Sequence, residues 1–405
     1  MKVLRNGSKE LIKEINRFKV LNIIRQQYPI SRSEITKHYK LGTSTLSYII
    51  EDLKELGWIN EVGEQSSTGG RRAKLLEFNQ DFGFSVGIKI EERQILIALT
   101  SMEANLLSRA SIPIEKGVTP EHVVKVIEEE IMKLAKAQRK NLSDLLGIGV
   151  LSSGLVNRHN GTIIRSSMLG WRDVPITEML KIQFPDTQIF VDNNINGYTL
   201  AELTKGEGKE NNNFLVVSVG AGIGLSVVID RKIYYGSIGG AGEYGHTTLV
   251  IDGYPCHCGQ RGCLEMYASE FYFENRGQEL INQYPDTAIE NFSFTEVATR
   301  AREGDKLAQT LFEGLSKYLG HGIRNLINTF NPDKIVMAGE GMEYSDLFME
   351  KVQNMSHNNF FSKVDIATDL VESTLKDEAW LEGASLLAIN HIFQEPIYEK
   401  AKAKS

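Results

Sequence analysis

The stretch "CHCGQRGCLEMYAS", residues 256–269, contains all three cysteines of a chain of 405 residues. Thiols packed this closely suit a soft cation, and Zn²⁺ requires four ligands at tetrahedral corners. His246 is the nearest good fourth ligand, and it completes a His-x9-Cys-x-Cys-x4-Cys pattern with Cys256, Cys258 and Cys263. Because a Cys3His set leaves no position open for water, the pattern predicts a structural Zn²⁺ rather than a hydrolytic one.

The same motif bears on the compartment of the protein. An odd number of thiols cannot all pair, and "MKVLRNGSKELIKEI" carries charges where a secretory signal needs an apolar run. We therefore expect a cytoplasmic protein with reduced cysteines and no membrane span. The alternative to a metal site is that the three thiols are simply buried or unused side chains. His257 is a poorer ligand than His246, because the cysteines on either side of it should direct its side chain away from the metal.

The charges divide the chain into two parts. Residues 1–80 carry 14 Lys+Arg against 9 Asp+Glu, whereas the remainder carries 31 against 43. A small basic module on a larger acidic body suggests that the first eighty residues meet a polyanion. Charge alone does not exclude a chance variation in surface composition.

Two helices are predicted before residue 40. In "NRFKVLNIIRQQY", residues 16–28, the apolar side chains share one helical face, and Pro29 ends the helix. In "SRSE", residues 31–34, Ser31 and Glu34 form a capping box that opens a second, short helix ending near Tyr39.

A third helix is predicted from Thr43, which can cap it, to Leu56, before Gly57. Its buried stripe comprises Leu46, Ile49, Ile50, Leu53 and Leu56. Its other face presents hydrogen-bonding side chains that fit a major groove: Thr43, Ser44, Thr45, Ser47 and Tyr48. Together with Ser31 and Arg32, these residues are the predicted DNA contacts of a helix-turn-helix.

A wing is predicted to follow. "WINEVGEQSSTGGRRAKLLEFN", residues 58–79, has the pattern of two short strands around a polar loop. Glycines at the loop tip allow close approach to DNA, and Arg71 and Arg72 can enter a narrow minor groove.

From Phe82 onward, short apolar runs alternate with amphipathic helices, which is typical of an α/β fold. The strand candidates are "FGFSVGIKI", "QILIALT", "LLGIGVL", "QIFVD", "NFLVVSVG" and "KIVMAG". The loop "VGAGIG", residues 219–224, lacks side chains that would block close approach to a phosphate or a sugar. No internal repeat stands out.

Taken together, "GEYGH", "CHCGQRGCLE", "VSVGAGIG" and "VDNNINGYTLAE", preceded by a winged helix, resemble the ROK family of repressors and sugar kinases. "QSSTGGRRAKLLEFN" and "GWRDVPI" look most like its NagC/XylR type of repressor, in particular the xylose repressors. The resemblance implies a winged helix-turn-helix over residues 1–80 and a two-lobed actin-like ATPase (ribonuclease H-like) body. Its lobes would span 81–195 and 196–405, with the C-terminal helices packing back on the first lobe.

The resemblance also assigns roles to matching residues. The family's zinc ligands fall on His246, Cys256, Cys258 and Cys263, the set proposed above. Its sugar contacts fall on Asn193, Glu243, His246 and Glu265, each able to hydrogen-bond a hydroxyl. The zinc would then fix the loop that orients His246 and place Glu265 beside the sugar.

Departures from the family pattern argue against phosphoryl transfer. The family's catalytic Asp falls on Asn194, which could contact a sugar but cannot act as a base. The ATP-phosphate glycines of the kinases are replaced in "KIEERQ", residues 89–94, by two glutamates. The adenine-side glycine pair reads Ala338, Gly339 and Glu340, and a sugar-contacting Asn is Met168.

The sequence therefore predicts a repressor that binds operator DNA, which we expect to be palindromic, as a homodimer or tetramer, with a sugar or sugar derivative as effector. An active sugar kinase carrying a DNA-binding domain is the alternative. A third possibility is a repressor with a vestigial pocket, governed by a protein partner or by DNA occupancy alone.

Overall fold

A computed structural model describes residues 2–4, 8–64, 74–362, 367–396 and 398–400. Arg71 and Arg72, the predicted wing contacts, lie outside the described residues. A short sheet joins two distant segments, because β1 (Lys2–Leu4) pairs antiparallel with β18 (Tyr398–Lys400). Among the residues described, none of the helices combines the length and hydropathy of a membrane span.

The first part of the chain forms a winged helix-turn-helix. Its helices are α1 (Lys9–Gln27), α2 (Arg32–His38) and α3 (Thr43–Glu55). Its strands β2 (Ile30–Ser31), β3 (Ile59–Glu64) and β4 (Lys74–Phe78) form a sheet in the order β2-β4-β3. The predicted capping box is present at Ser31 and Glu34.

Two details of α3 differ from the prediction. Gly42 occupies the N-cap, so Thr43 is the first helical residue and its hydroxyl does not cap the helix. Leu56 follows the last turn and is 48% exposed, so it lies outside the buried stripe that Leu46, Ile49, Ile50 and Leu53 form. The stripe ends where Gly57 (φ +73°) turns the chain away from the helix axis.

The first lobe is built on a five-stranded sheet in the order β12-β8-β5-β6-β7. The strands are β5 (Phe84–Ile90), β6 (Gln94–Thr100), β7 (Leu106–Pro113), β8 (Leu145–Ser152) and β12 (Gln188–Asn193). Helices α4 (Pro120–Ala137) and α5 (Ile176–Gln183) belong to this lobe, as does a small sheet of β9 (Leu155–Asn157), β10 (Thr162–Ser166) and β11 (Trp171–Val174). A 3-10 turn over Leu142–Asp144 precedes β8.

The second lobe repeats this sheet in the order β17-β16-β13-β14-β15. Its strands are β13 (Phe214–Val219), β14 (Ile223–Ile229), β15 (Lys232–Ile233), β16 (Lys334–Ala338) and β17 (Asp369–Glu372). Numbered within each lobe, both sheets have the order 5-4-1-2-3, with strands 1, 4 and 5 paired in parallel and strand 2 antiparallel to both strand 1 and strand 3. This duplication confirms the predicted two-lobed actin-like body.

Helices complete the second lobe and its connection to the first. They are α6 (Asn194–Thr204), α7 (Glu265–Ala268), α8 (Glu270–Leu280), α9 (Phe294–Arg302), α10 (Lys306–Phe330), α11 (Met349–His357) and α12 (Glu378–Ile392). Short 3-10 segments cover Tyr244–His246, Ile281–Gln283 and Glu340–Leu347. The lobe core is aromatic, with Phe273, Phe294 and Phe312 in mutual ring contact.

The C-terminal helix α12 packs against the first-lobe sheet and against α6. Gly87 and Gly149 allow this close approach, because a Cβ on either glycine would collide with the α12 backbone at Leu381 or Ala384. The end of α12 reaches the winged helix-turn-helix, where Phe393 packs among Trp58, Phe78 and Phe82. One helix therefore contacts both the body and the predicted DNA-binding domain.

Candidate functional site

A cleft of about 1230 Å³ opens between the two lobes. The carboxyl ends of β12 and β13 and the N-terminus of α6 border it, as expected for a ligand site in an open α/β sheet. All the predicted sugar contacts line this cleft: Asn193, Asn194, Glu243, His246 and Glu265. Met168 lines it too.

Asn193 and Asn194 occupy the junction of β12 and α6. The side-chain oxygen of Asn193 accepts the Ile195 backbone N–H at 3.1 Å and caps α6, while its amide donates to the Gly154 carbonyl at 2.8 Å. By contrast, none of the described residues donates to the buried Oδ1 of Asn194. A buried acceptor without a partner is costly, so Asn194 Oδ1 is the atom of this pair best suited to accept a ligand hydroxyl.

Asp192 is the carboxylate nearest to Asn194 in sequence, and neighbouring side chains engage both of its oxygens. Its side chain is 1% exposed and lies 2.7 Å from the Arg158 guanidinium. The Asn196 amide donates to its other oxygen at 2.9 Å. Asp192 thus supports the start of α6 from below the cleft.

Glu243 precedes the 3-10 turn Tyr244–His246 at the cleft wall, and His246 is the last residue of that turn. Burial, together with the nearby charge of Glu265, raises the pKa of Glu243. The two ring nitrogens of His246 have different neighbours: Nδ1 lies 3.5 Å from Cys256 Sγ, and Nε2 lies 3.9 Å from a Glu243 oxygen. One nitrogen thus faces the thiols, and the other faces a cleft carboxylate.

Glu265, at the start of α7, is held by two donors. Its Oε2 accepts the Ile223 backbone N–H at 3.2 Å, and its Oε1 lies 2.6 Å from His257 Nε2. The hydrogen bond that His257 donates to the Glu265 carboxylate raises the pKa of His257. His257 therefore positions Glu265, a role that its place between two cysteines did not reveal in the sequence.

The thiols and His246 form a cluster able to hold a metal ion. Ligand atoms of His246, Cys256, Cys258 and Cys263 all lie within 4.8 Å of one another, and Cys258 Sγ is 3.7 Å from Cys263 Sγ. Two thiolates on a tetrahedral ion with bonds near 2.3 Å are separated by about 3.8 Å. Burial and the neighbouring thiols raise the pKa of Cys263 to about 12, so a cation is needed to stabilise three thiolates together.

A second, overlapping group is also compact: His246, Cys256, His257 and Glu265. In this group Glu265 already accepts two hydrogen bonds, and His257 donates one of them. The Cys3His group has the softer donors, and it therefore fits a structural Zn²⁺ better.

Residues 89–94, the end of β5 and the turn into β6, place charged side chains on the first-lobe side of the cleft. Lys89 is buried, and its Nζ lies 2.6 Å from a Glu91 oxygen and 3.9 Å from the centroid of the Trp380 ring. Glu92 is paired with Lys116 at 2.8 Å. Side chains thus stand where the kinase pattern has glycine.

The face of α3 predicted to contact DNA is largely open to solvent. Thr43, Ser44, Thr45 and Tyr48 are exposed, while Ser47 is half-buried. Arg32, at the start of α2, is held by two ion pairs, with one guanidinium nitrogen 3.0 Å from a Glu51 oxygen and 3.4 Å from a Glu61 oxygen.

The prediction for Ser31 needs correction. Its side chain is fully buried, because the hydroxyl caps α2 and hydrogen-bonds the Glu34 carboxylate at 2.6 Å. A buried cap cannot present its hydroxyl to DNA, so Ser31 orients the helix-turn-helix from within.

Comparisons with known proteins bear on the whole chain. Residues 85–391 match the ROK family. The xylose repressor of Caldicellulosiruptor bescii is 28% identical over 398 residues, which cover 97% of this chain and 100% of that protein. The DNA-binding transcriptional dual regulator NagC of Escherichia coli is 29% identical over 354 residues, 86% of either chain.

A solved structure is similar over nearly the full length. The crystal structure of a ROK family transcriptional regulator, a homologue of the E. coli MLC protein, superposes with a TM-score of 0.82 at 25% identity. The match covers 95% of this chain and 97% of that one. The similarity thus includes the N-terminal domain as well as the two-lobed body.

Proposed function

This chain belongs to the ROK family, and we propose that it is a transcriptional repressor that binds operator DNA and senses a sugar without phosphorylating it. One observation supports the proposal above all: the same chain combines two features. The α3 helix has an exposed polar face suited to DNA, and the cleft has Asn194 at the position where the family's kinases have a catalytic carboxylate. The named relatives, a xylose repressor and NagC, are both regulators.

The alternative is an active sugar kinase, but this chain lacks the base and the phosphate-binding groups that phosphorylation of a sugar requires. A base must take a proton from the sugar hydroxyl, and the amide of Asn194 cannot do so. Asp192 is buried against Arg158, and the phosphate-side loop is occupied by the Lys89–Glu91 pair. Phosphoryl transfer depends on positioning and stabilising phosphates, which these charges oppose.

For the effector we propose a monosaccharide held chiefly by hydrogen bonds from the start of α6 and from the second-lobe wall of the cleft. Asn194 Oδ1, Glu243, the Nε2 side of His246 and Glu265 supply donors and acceptors to hydroxyls. Asn193 is largely occupied as a cap and contributes from its remaining hydrogen-bonding positions. The relatives' names mention two different sugars, xylose and N-acetylglucosamine, so a screen must identify the effector of this chain.

The metal that we propose for the cluster is a structural Zn²⁺ held by His246, Cys256, Cys258 and Cys263. When bound, it would neutralise the thiolates and fix the loop that carries His257 and the start of α7. Such a protein, with reduced thiols and operator DNA as partner, would work in the cytoplasm.

On the DNA side, we propose that Thr43, Ser44, Thr45, Ser47 and Tyr48 read the major groove and that Arg32 contacts phosphate beside it. Arg71 and Arg72 remain proposed minor-groove contacts. A homodimer, or a tetramer built from dimers, would place two α3 helices in successive major grooves of a palindromic operator.

Coupling between the two sites is proposed to pass through α12. Asp377, Trp380 and Leu381 at its N-terminal end line the cleft, and Phe393 beyond its C-terminal end contacts the winged helix-turn-helix. A sugar that favours one lobe closure over another can then change how the DNA-binding domain is held.

The test combines operator binding with a kinase assay. We expect Ser44→Glu to weaken operator binding at least about tenfold, because a carboxylate on the exposed face of α3 meets DNA phosphates. Ser143→Glu, an exposed control in the body, should leave it unchanged. A thermal-shift screen of pentoses, hexoses, amino sugars and sugar phosphates identifies the effector, and footprinting locates the operator. Release of ADP with any sugar in that panel would instead support the kinase.

A further inference from the structure

The two lobes contain equivalent hairpin turns. The turn between β5 and β6, residues 91–93, and the turn between β13 and β14, residues 220–222, join the first two strands of their duplicated sheets. Both turns line the cleft. The second turn is Gly220-Ala221-Gly222, and such a turn can present backbone N–H groups to an anion.

An anionic side chain from another segment already binds this turn. Glu340, the first residue of the 3-10 segment after β16, accepts the Ala221 backbone N–H on its Oε1 at 2.8 Å. Its carboxylate lies directly against Gly220, where a Cβ would collide with the Glu340 carboxyl group. Glu340 and Ala221 are 119 positions apart in the sequence.

A second carboxylate holds the other end of the turn. Glu265 Oε2 accepts the Ile223 N–H at 3.2 Å and lies so close to Gly222 that an added Cβ would be 2.6 Å from that oxygen. The glycine turn is therefore fitted between Glu340 on one side and the proposed sugar contact Glu265 on the other. Both glycines are explained by this fit, since any side chain would displace a carboxylate.

We propose that Glu340 is the resident occupant of an anion seat formed by the glycine turn, where its carboxylate takes the place of an external phosphate group. The proposal rests on the proposed function, because it explains how a sugar-sensing cleft excludes the phosphates of a nucleotide. A carboxylate and a backbone N–H form a charge-assisted hydrogen bond, and a tethered carboxylate competes at high effective concentration. Glu340 therefore also positions the turn that supports Glu265.

The surroundings strengthen the exclusion. Glu91, Asp377 and Glu340 all line the cleft, and two of the cations that line it, Lys89 and Arg109, are already paired with Glu91 and Glu378. Glu270 lies nearby, and burial together with repulsion from Glu274 and Glu340 raises its pKa. A triphosphate approaching the turn would meet carboxylates rather than free amides.

The experiment measures amide hydrogen exchange at Ala221, by NMR on deuterated full-length protein at neutral pH, with and without millimolar inorganic phosphate. Four proteins are compared: wild type, Glu340→Ala, Glu340→Gln and Glu343→Ala. Glu343 is the matched control because it is an exposed glutamate of the same 3-10 segment. Thermal unfolding of each protein checks that the fold is retained.

We expect Ala221 to exchange about tenfold faster in Glu340→Ala, the factor that loss of a hydrogen bond to a charged group supports. Phosphate should slow that exchange in Glu340→Ala alone, because only there is the seat free. Glu340→Gln keeps a neutral acceptor and should lie between wild type and Glu340→Ala.

Unchanged exchange in Glu340→Ala, or exchange that phosphate fails to slow, would overturn the proposal. The operator assay remains independent of this outcome. If wild-type protein binds no operator while the exchange pattern holds, the repressor function fails and the resident carboxylate stands.

Discussion

Replacing Phe393 by alanine removes the centre of the contact between the winged helix-turn-helix and the body. The Phe393 side chain is buried, and its ring centroid lies 5.7 Å from Phe78, 6.3 Å from Phe82 and 6.5 Å from Trp58. Its backbone carbonyl also accepts a hydrogen bond of 3.0 Å from the Asn22 amide. Only the ring contacts are lost in the variant.

The expected cost follows from this burial. Truncating a buried phenylalanine to alanine costs about 3–5 kcal/mol. The Arg25 guanidinium also stacks on the ring, 4.7 Å from its centroid, and loses a cation–π contact. Because the ring lies between the two domains, most of this free energy is lost from the packing of the winged helix-turn-helix on the body. A loss of about 3 kcal/mol changes the equilibrium between the packed and the separated domains by a factor of roughly 150.

The assay follows Trp58 fluorescence during urea unfolding, in a background where the other two tryptophans, Trp171 and Trp380, are replaced by phenylalanine. Operator binding is measured in parallel, with and without the effector. We expect the Trp58 transition of Phe393→Ala to move to lower urea and separate from unfolding of the body. Operator binding should lose most of its response to the effector, because α12 no longer holds the DNA-binding domain. Phe360→Ala is the control, since Phe360 is 82% exposed and its loss should change stability by less than about 0.5 kcal/mol.

A Trp58 transition that coincides with wild type would refute the energetic part of this reasoning. If the transition shifts as expected but the effector still changes operator affinity to the wild-type extent, coupling through α12 is refuted. The two readouts thus separate the strength of the contact from its role in signalling.

Asn194→Ala should weaken effector binding about tenfold or more by calorimetry, because it removes the unpartnered cleft acceptor, and unchanged affinity would exclude Asn194 as a sugar contact. Cys258→Ser should lose stoichiometric zinc by elemental analysis and lower both Tm and sugar affinity; zinc retained at wild-type level would favour the overlapping ligand group. The hydrogen bond from Lys74 lowers the pKa of Glu61 to about 2, so its stabilising contribution is present above the ordinary value of 4.5 and is lost as the pH falls towards 2. The difference in urea midpoint between wild type and Glu61→Gln should therefore be constant above about pH 5 and shrink below it; a difference independent of pH would contradict this assignment.

The sequence predicted the elements whose signals are local. Hydrophobic periodicity located α3 and the C-terminal part of α1, which begins at Lys9, seven residues before the predicted stretch. The capping box at Ser31 located the start of α2. The thiol spacing with His246 selected a ligand set that lies close together in space. These signals work because helix caps, strand runs and metal ligands follow short, fixed spacings.

Relations between distant segments were decided only by the tertiary structure. The hydrogen bond of Glu340 to Ala221 depends on the pairing of β13 with β16 in the second lobe. The contact of Phe393, at the end of α12, with Phe78 depends on how the C-terminal helix packs between the body and the winged helix-turn-helix. The duplicated 5-4-1-2-3 sheets were also invisible in the residue pattern, because strand order is set by long-range pairing. Local periodicity specifies which face of a helix or strand is buried. The Glu340 carboxylate, however, reaches the Ala221 N–H only once the fold brings together two segments that are 119 positions apart in the sequence.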